Sequence, residues 1–334
     1  MFLPPIIMLM TMILMVSTLM AISSSNWFFI WVSMELNMLS FIPIMLNNNS
    51  MLEMEGAIKY FMTQSVASSC MLMSSLMMWM SVLNCEKFNL LLMFVIFMKL
   101  GTFPCHFWFP SVMSSCKWDM CMLLTTWQKL IPIFLFISII NANNTVIMMA
   151  CILNMFIGGL FGMNSNNMKS VMAYSSITHM GWLMMMKMVS MNLLMFLYFI
   201  IYTMMVIPMF ITLKKLNMNL YKNFMLLNKN SLINIVLVLM MIMSMAGLPP
   251  FTGFFLKLMV MYNMVSISTT LMILLVLISI MSLYFYLNMS YNSLLNTYLN
   301  KGVNNYKMKK MVSLVSIFML TPMILLMYAM TLFN

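Results

Sequence analysis

Long apolar runs recur along the whole chain and constrain its fold more than any other feature. Leu, Ile, Phe and Met dominate these runs, which short clusters of Asn, Ser and Lys separate. A run of about 20 residues is the length of an α-helix that crosses a bilayer, whereas the strands of an outer-membrane barrel alternate over about 10 residues. The sequence therefore predicts an all-α, polytopic membrane fold.

The composition excludes a soluble domain. Hydrophobic residues make up 64% of the 334 residues, charged residues make up 6%, and the mean hydropathy is +1.01. This leaves too little polar material to cover the surface of a soluble domain. We expect one membrane-embedded domain over residues 1–334.

The formal net charge of +11 does not indicate nucleic-acid binding here. All 16 basic residues are Lys, and they lie at helix ends or singly inside helices. No basic patch is interleaved with exposed aromatic residues, as nucleic-acid binding requires. We therefore expect no nucleic-acid partner.

The sequence also predicts no metal and no cofactor in this chain. The six Cys form no C-x-x-C pair, and all but Cys85 lie within or beside apolar runs, as small buried hydrophobic residues do. A haem-bearing subunit needs several axial His, whereas this chain has only His106 and His179. Iron–sulfur or flavin chemistry would need a Cys framework or a Gly-rich fingerprint, and neither is present.

The apolar runs predict eleven membrane-spanning helices. Two of them are expected to be broken, near Gly101/Pro104 and near Gly247/Pro250, because Gly and Pro interrupt helices. The predicted spans lie at about 1–22, 27–46, 55–83, 88–109, 118–140, 145–162, 169–189, 191–213, 231 to beyond Lys257, 266–289, and a last one that ends near 333.

The first broken span contains a lysine directly before the break. In F-V-I-F-M-K-L-G-T-F-P-C-H-F-W-F-P at 94–110, Lys99 ends an apolar run and precedes Gly101 and Pro104. Lys99 lies on the order of 16 Å from the start of a helix over 88–109, near the middle of a hydrocarbon core about 30 Å thick. A helix broken at this depth is tolerated only against protein or a water-filled cavity. The stretch therefore predicts a transport or coupling site.

Four ionisable side chains are expected at mid-membrane depth: Glu35, Lys99, Lys129 and Lys257. A charge at that depth costs about 2.5–3.5 kcal/mol even on insertion scales. Lys169 and Lys187, near helix ends, are expected to extend their amines to the interface. Lys99 and Lys129 lie about 11 residues from either helix end and are too deep to do so. Lysines beside a carboxylate can load and release protons as their surroundings change.

The lysines also predict the orientation of the chain. With eleven spans, the Lys-rich loops at 214–229 and 301–310 lie on the same face as the N-terminus. By the positive-inside rule this is the cytoplasm-derived face, which is the matrix if the host is a mitochondrion. The C-terminus is then on the intermembrane-space side.

Six segments, in order along essentially the whole chain, resemble the mitochondrial NADH-ubiquinone oxidoreductase chain 2 family. They are W-V-S-M-E-L-N-M-L-S-F-I-P at 31–43, E-G-A-I-K-Y-F-M-T-Q at 55–64, K-L-G-T-F-P-C-H-F-W at 99–108, T-T-W-Q-K-L-I-P at 125–132, M-A-Y-S-S-I-T-H-M-G-W at 172–182 and G-L-P-P-F-T-G-F at 247–254.

The resemblance implies an antiporter-like membrane subunit of respiratory complex I, in the shortened animal form with eleven helices. Such a subunit works as part of a hetero-oligomer with other membrane-arm subunits and phospholipid in the mitochondrial inner membrane. It translocates protons as NADH is oxidised and ubiquinone is reduced, and holds no redox group itself. The resemblance assigns Glu35 and Lys99 to the input pair, Lys129 to the central relay and Lys257 to the output side. His106 and His179 are relay candidates or satisfied core histidines.

The departures from the family pattern are mild. Ser33 stands in place of the usual Gly, and Cys105 in place of Phe. The usual Arg-Lys pair appears as Lys169–Ser170, while Leu256 and Leu258 replace Pro and Trp around Lys257. None of these changes removes one of the four mid-membrane charges.

A free-standing cation/proton antiporter with the same charges is the alternative function, and a scaffold with a vestigial set of charges is another. Transport by the isolated chain in liposomes would favour the antiporter. Purification only within a large NADH-oxidising assembly would favour the complex I subunit.

Overall fold

The computed structural model describes residues 4–47, 50–80, 85–139, 144–216, 232–249, 251–265 and 269–299. Every regular element in these ranges is a helix, which confirms the all-α prediction. The chain divides at Ala150 and Cys151 into two units, which are described separately. The prediction of one domain over residues 1–334 stays a prediction.

The first unit begins with three long helices, which are followed by shorter ones. Its elements are α1 (Pro5–Ser23), α2 (Trp27–Met45), α3 (Met51–Trp79), α4 (Cys85–Leu100), α5 (Trp108–Ser115), α6 (Trp118–Thr125), a 3-10 turn (Trp127–Lys129), α7 (Leu130–Ser138) and the beginning of α8 (Asn144–Met163). Helix α1 packs along α2, and α3 contacts α2, α4 and α5. Helix α3 is thus central to this unit.

The second unit contains the rest of α8 and the helices that follow it. These are α9 (Met168–Met188), α10 (Asn192–Lys215), α11 (Leu232–Ala246), α12 (Thr252–Met264) and α13 (Thr269–Leu299). Helix α11 contacts α10, α12 and α13, while α9 contacts α10 and α12. Helices α9, α10 and α12 therefore form one packed group.

The outer faces of these helices are apolar, as a membrane chain requires. Leu19, Phe28 and Leu277 are 66%, 62% and 60% exposed, and lipid tails are as apolar as these side chains. Among the described residues, six helical segments are long and apolar enough to cross a membrane. When the short pieces on either side of each break are counted as one span, helices occupy the first ten predicted positions. The eleventh, near 333, and the 301–310 loop lie outside the described residues, as does most of the 214–229 loop.

Of the helix boundaries that differ from the predicted ones, two have a cause that can be read from the sequence. Helix α3 begins at Met51 rather than 55, because the Ser50 hydroxyl accepts a hydrogen bond from the Glu53 N–H at 3.3 Å and caps the helix. Helix α13 continues to Leu299 rather than ending at 289. No Gly or Pro lies between Thr269 and Leu299, so nothing in the sequence stops the helix there.

Both predicted breaks occur where Gly permits a left-handed backbone. Gly101 follows α4 with φ of 67°, and Gly247 follows α11 with φ of 79°. An L side chain is disfavoured at such angles, whereas Gly adopts them readily. These two glycines end their helices inside the predicted spans.

A third interruption, between α6 and α7, was not predicted. The span expected as one helix over 118–140 contains the 3-10 turn Trp127–Lys129. Pro132 has no N–H to donate to the Gln128 carbonyl, and its ring crowds that oxygen, so the preceding turn cannot keep the α-helical pattern. Lys129 is the last residue of this turn.

We predict that Gly247→Ala destabilises the second unit. A Cβ at this position would lie 3.0 Å from both Cε and Nζ of Lys257, and a left-handed non-Gly residue costs about 1–3 kcal/mol. The melting temperature in detergent and the yield of folded protein from membranes should both fall. Gly162→Ala is the control, because Gly162 lies inside a regular helix and the three atoms nearest to its Cβ would belong to the Phe285 ring. Equal stability of the two variants would contradict the prediction.

Candidate functional site

Lys99 lies in the last turn of α4, beside the first break. Its side chain is 9% exposed, and Gln64 on α3 donates to its backbone carbonyl at 3.5 Å. The Trp108 indole N–H donates to the Met98 carbonyl at 3.0 Å. The same carbonyl accepts from the Gly101 backbone N–H at 3.2 Å, so the indole of α5 adds a second donor where the helix ends. The backbone carbonyls of Met98 and Lys99 therefore have hydrogen-bond donors at the break, while Lys99 stays buried.

Lys129 is brought to the same region by the unpredicted turn. It is 2% exposed, and its Nζ lies 4.6 Å from the centroid of the Phe109 ring, in a cation–π arrangement. Phe109 also fills the space beside Gly101, where a Cβ would lie 2.7 Å from that of Phe109. The two lysines line one small cavity together with Phe109.

Glu35, on α2, is partly exposed and faces α3. The Ser68 hydroxyl donates a hydrogen bond to its Oε1, and the carboxylate interacts electrostatically with Lys99. The ion pairs within the described residues lie elsewhere: Lys59 with Glu55, and Lys117 with Glu53. Glu35 thus acts on Lys99 through space and is held by a hydroxyl rather than by the amine itself.

Lys257, in the second unit, donates directly to the backbone at the second break. Its Nζ lies 2.8 Å from the Ala246 carbonyl oxygen, and its side chain is 7% exposed. Gly247 leaves room for the amine, since any Cβ there would meet it. The lysine thereby satisfies a carbonyl at the end of α11.

The two histidines lie in different surroundings. His106 is in the connection between α4 and α5, 4% exposed, with its ring centroid 4.0 Å from that of Phe107. His179, on α9, has its Nδ1 3.0 Å from the Tyr198 hydroxyl. Its ring lies 5.3 Å from that of Tyr202, one turn further along α10. His106 therefore belongs to the Lys99 break, and His179 to a polar contact inside the second unit.

The structure places the predicted site residues in two groups. Glu35, Lys99, Lys129 and His106 lie in the first unit, and Lys257 and His179 in the second. Their assigned roles stay predictions. Within the described residues, no three or more His, Cys, Asp and Glu side chains come together as a metal site would require. The expectation of a chain without a cofactor also stays a prediction.

Sequence reasoning missed the polar side chains around the lysines. The Tyr60 hydroxyl donates to Gln128 Oε1 at 3.2 Å, and Gln64 lies one turn beyond Tyr60 on α3. The signal was present, since residues 60 and 64 share one face of a helix and Gln128 precedes Lys129. Only their contact across 68 positions of sequence shows that they form one group.

Comparison with known proteins first shows the broad class of membrane protein to which this chain belongs. The transmembrane family described as NADH:quinone oxidoreductase/Mrp antiporter matches residues 24–283. A chain of respiratory complex I from Thermus thermophilus with bound aureothin superposes with a TM-score of 0.80 at 18% identity, covering 96% of this chain and 77% of that one. A chain of the Mrp complex from Dietzia sp. DQ12-45-1b gives 0.74 at 16% identity, covering 89% and 61%. The fold is that of antiporter-like membrane subunits.

Relatives at higher identity narrow the class. NADH-ubiquinone oxidoreductase chain 2 of Lumbricus terrestris is 43% identical over 283 residues, covering 84% of each chain. The Anopheles gambiae relative of the same name is 35% identical over 306 residues, covering 89% of this chain and 87% of its own length. This chain belongs to the NADH-ubiquinone oxidoreductase chain 2 family.

We predict that Glu35 and Lys99 are energetically coupled. Breaking a buried charge pair leaves one charge uncompensated, whereas removing both leaves none. Glu35→Gln and Lys99→Met should each reduce the yield of folded, membrane-inserted protein, and the double variant should recover part of it. The coupling free energy should exceed about 0.5 kcal/mol, the limit within which distant, independent sites are additive.

These three variants form a double-mutant cycle. Its matched control is the pair Glu55 and Lys59 on α3, whose side chains are 57% and 45% exposed. Exposed pairs contribute little, so Glu55→Gln and Lys59→Met should be close to additive. Additive losses at Glu35 and Lys99 as well would mean that the two do not form a pair.

Proposed function

We propose that this chain translocates protons across the mitochondrial inner membrane as a membrane-arm subunit of respiratory complex I, through Glu35, Lys99, Lys129 and Lys257. The observation that carries this is the position of the three lysines. Each is buried, and each lies at an interruption of its helix: Lys99 before Gly101, Lys129 in the 3-10 turn and Lys257 on the carbonyl before Gly247. Such interruptions free polar backbone groups at membrane depth, where they line transport paths.

The electrostatics of the first unit suggest how a distant event moves a proton. NADH oxidation and quinone reduction take place in other subunits and change the field along the buried charges. Glu35 responds by moving toward or away from Lys99, because Ser68 rather than Lys99 holds its carboxylate. The Lys99 proton then passes through water to Lys129 and onward to Lys257. His106 and His179 are further relay candidates at their respective positions.

The energy of the Glu35 and Lys99 interaction is similar in size to the energy needed to move a proton across the membrane. Moving one charge across a potential of 100 mV costs about 2.3 kcal/mol. Bringing two opposite charges together to about 4 Å at an effective dielectric constant of 20 changes the energy by up to about 4 kcal/mol. A change at the Glu35 and Lys99 pair is therefore large enough to drive one charge against the membrane potential.

The chain acts in a hetero-oligomer with other membrane-arm subunits, surrounded by phospholipid. Its relatives are named as one chain of a multi-chain oxidoreductase, and its structural neighbours are chains of multi-subunit respiratory complexes. The Lys-rich loops favour an N-terminus in the matrix and a C-terminus on the intermembrane-space side. Cation/proton exchange by the isolated chain in liposomes would instead support a free-standing antiporter.

Lys129→Met should prevent proton transfer through this position without disrupting the fold. Met matches the length of the lysine side chain and removes a buried charge, so the complex should assemble normally. Loss of an acid–base group should slow proton transfer at this step by about 100-fold or more. Dye-reported acidification of vesicles containing the assembled complex, measured per NADH oxidised, tests this.

Lys187→Met is the matched control for this prediction. Lys187 is half-buried in the last turn of α9, where the lysine amine reaches the interface. Pumping should be unchanged in this variant. Full pumping by an assembled Lys129→Met complex would rule out the relay role of Lys129.

A further inference from the structure

Lys99 and Lys129 share a cavity with three neutral polar side chains. The cavity has a volume of about 10 Å³, and Tyr60, Gln64 and Gln128 contribute to its wall. A site that holds one water molecule needs room for about one water-sized sphere and two to four polar partners. The cavity admits a water, and its wall has enough polar groups to bind one.

Gln128 provides the strongest indication of what this cavity binds. Its Oε1 accepts a hydrogen bond from the Tyr60 hydroxyl at 3.2 Å, which leaves its Nε2 as the donor of the carboxamide. This nitrogen is buried and has no hydrogen-bond partner within the described part of the chain. An unsatisfied buried donor costs about 1–3 kcal/mol, and buried polar groups in native structures nearly always have a partner.

Tyr60 holds the carboxamide in this orientation. The tyrosine is 3% exposed, and its ring lies 5.2 Å from that of Phe41 and 6.0 Å from that of Trp108. Because two aromatic rings contact the buried Tyr60 ring, its hydroxyl stays directed at Gln128. The position of the Gln128 donor is therefore determined by helix α3 and not by Gln128 alone.

We infer that this cavity is a binding site for a single water molecule that transfers a proton between Lys99 and Lys129, with Gln128 and Tyr60 as its positioning residues. The inference rests on the proposed proton pathway. Gln128 Nε2 donates to one lone pair of the water oxygen. The second lone pair accepts a proton from the Lys99 ammonium as one water O–H bond breaks and its proton joins the Lys129 amine. One proton enters and one leaves, so the water is regenerated.

The rest of the wall explains why one water suffices. Leu100, Phe109 and Leu124 also line the cavity, together with Trp108. The first three side chains are apolar, and the Trp108 indole already donates to the Met98 carbonyl. An unpositioned water would spend much of its time turned away from the amines. Gln128 thus does not carry the proton, and it acts by fixing the water that does.

The test uses Tyr60→Phe, Gln128→Met and the double variant in the assembled complex. Proton pumping per NADH oxidised should fall on the order of tenfold for Gln128→Met, the factor expected for losing one positioning hydrogen bond. Tyr60→Phe should lower it less, since the ring packing remains. The double variant should be no worse than Gln128→Met, because both act on the same water. Tyr284→Phe, at a side chain 59% exposed, should pump normally.

A second measurement is independent of any variant. A high-resolution density map of the wild-type complex should show one ordered water within hydrogen-bond distance of Gln128 Nε2, and a map of Gln128→Met should lose it. Absence of that water from the wild-type map would overturn the inference. So would normal pumping per assembled complex by Gln128→Met, or additive losses in the double variant.

These outcomes separate the water site from the proposed function. If Lys129→Met stops pumping while Gln128→Met does not, the relay stands and the positioned water is wrong. If Lys129→Met pumps fully, the proposed pathway itself fails.

Discussion

Backbone hydrogen bonding in hydrocarbon is the constraint on which the rest of this structure depends. A helix that stops inside the membrane leaves carbonyl groups without helical donors, so other protein groups or enclosed water must supply the donors. At the first break the Trp108 indole donates to Met98, and at the second the Lys257 amine donates to Ala246. The second break therefore uses a residue of the proposed pathway as its structural partner, and changing the charge state of Lys257 also changes the hydrogen bonding of α11.

The three lysines are held in three different ways. Lys99 interacts electrostatically with Glu35, Lys129 lies over the Phe109 ring, and Lys257 donates to a backbone carbonyl. A carboxylate, an aromatic face and a carbonyl stabilise an ammonium to different degrees. Amines that differ in this way can pass a proton in one direction when a neighbouring charge moves, whereas identical sites would only share it.

The residues that depart from the family pattern are accommodated locally. Ser33 is buried, and its hydroxyl donates to the Ile30 carbonyl at 2.6 Å, so the added oxygen is satisfied within α2. Leu256 is fully buried and Leu258 half-buried on either side of Lys257. The contact of the Lys257 amine with the Ala246 carbonyl is present without the usual Pro and Trp. The breaks therefore depend on Gly101 and Gly247 more than on the residues around the lysines.

The sequence by itself determined the helical fold, the two breaks and the three buried lysines, because each follows from local chemistry. The length of an apolar run specifies a spanning helix, Gly and Pro interrupt it, and an ionisable residue far from both ends is buried whatever it packs against. Only the tertiary structure decided that Ser68 holds Glu35 and that Tyr60 orients Gln128 beside the two lysines. These contacts join residues 33 and 68 positions apart in the sequence. They depend on how α3 packs against α2 and α4–α7, and the periodicity of a single helix contains no information about that packing.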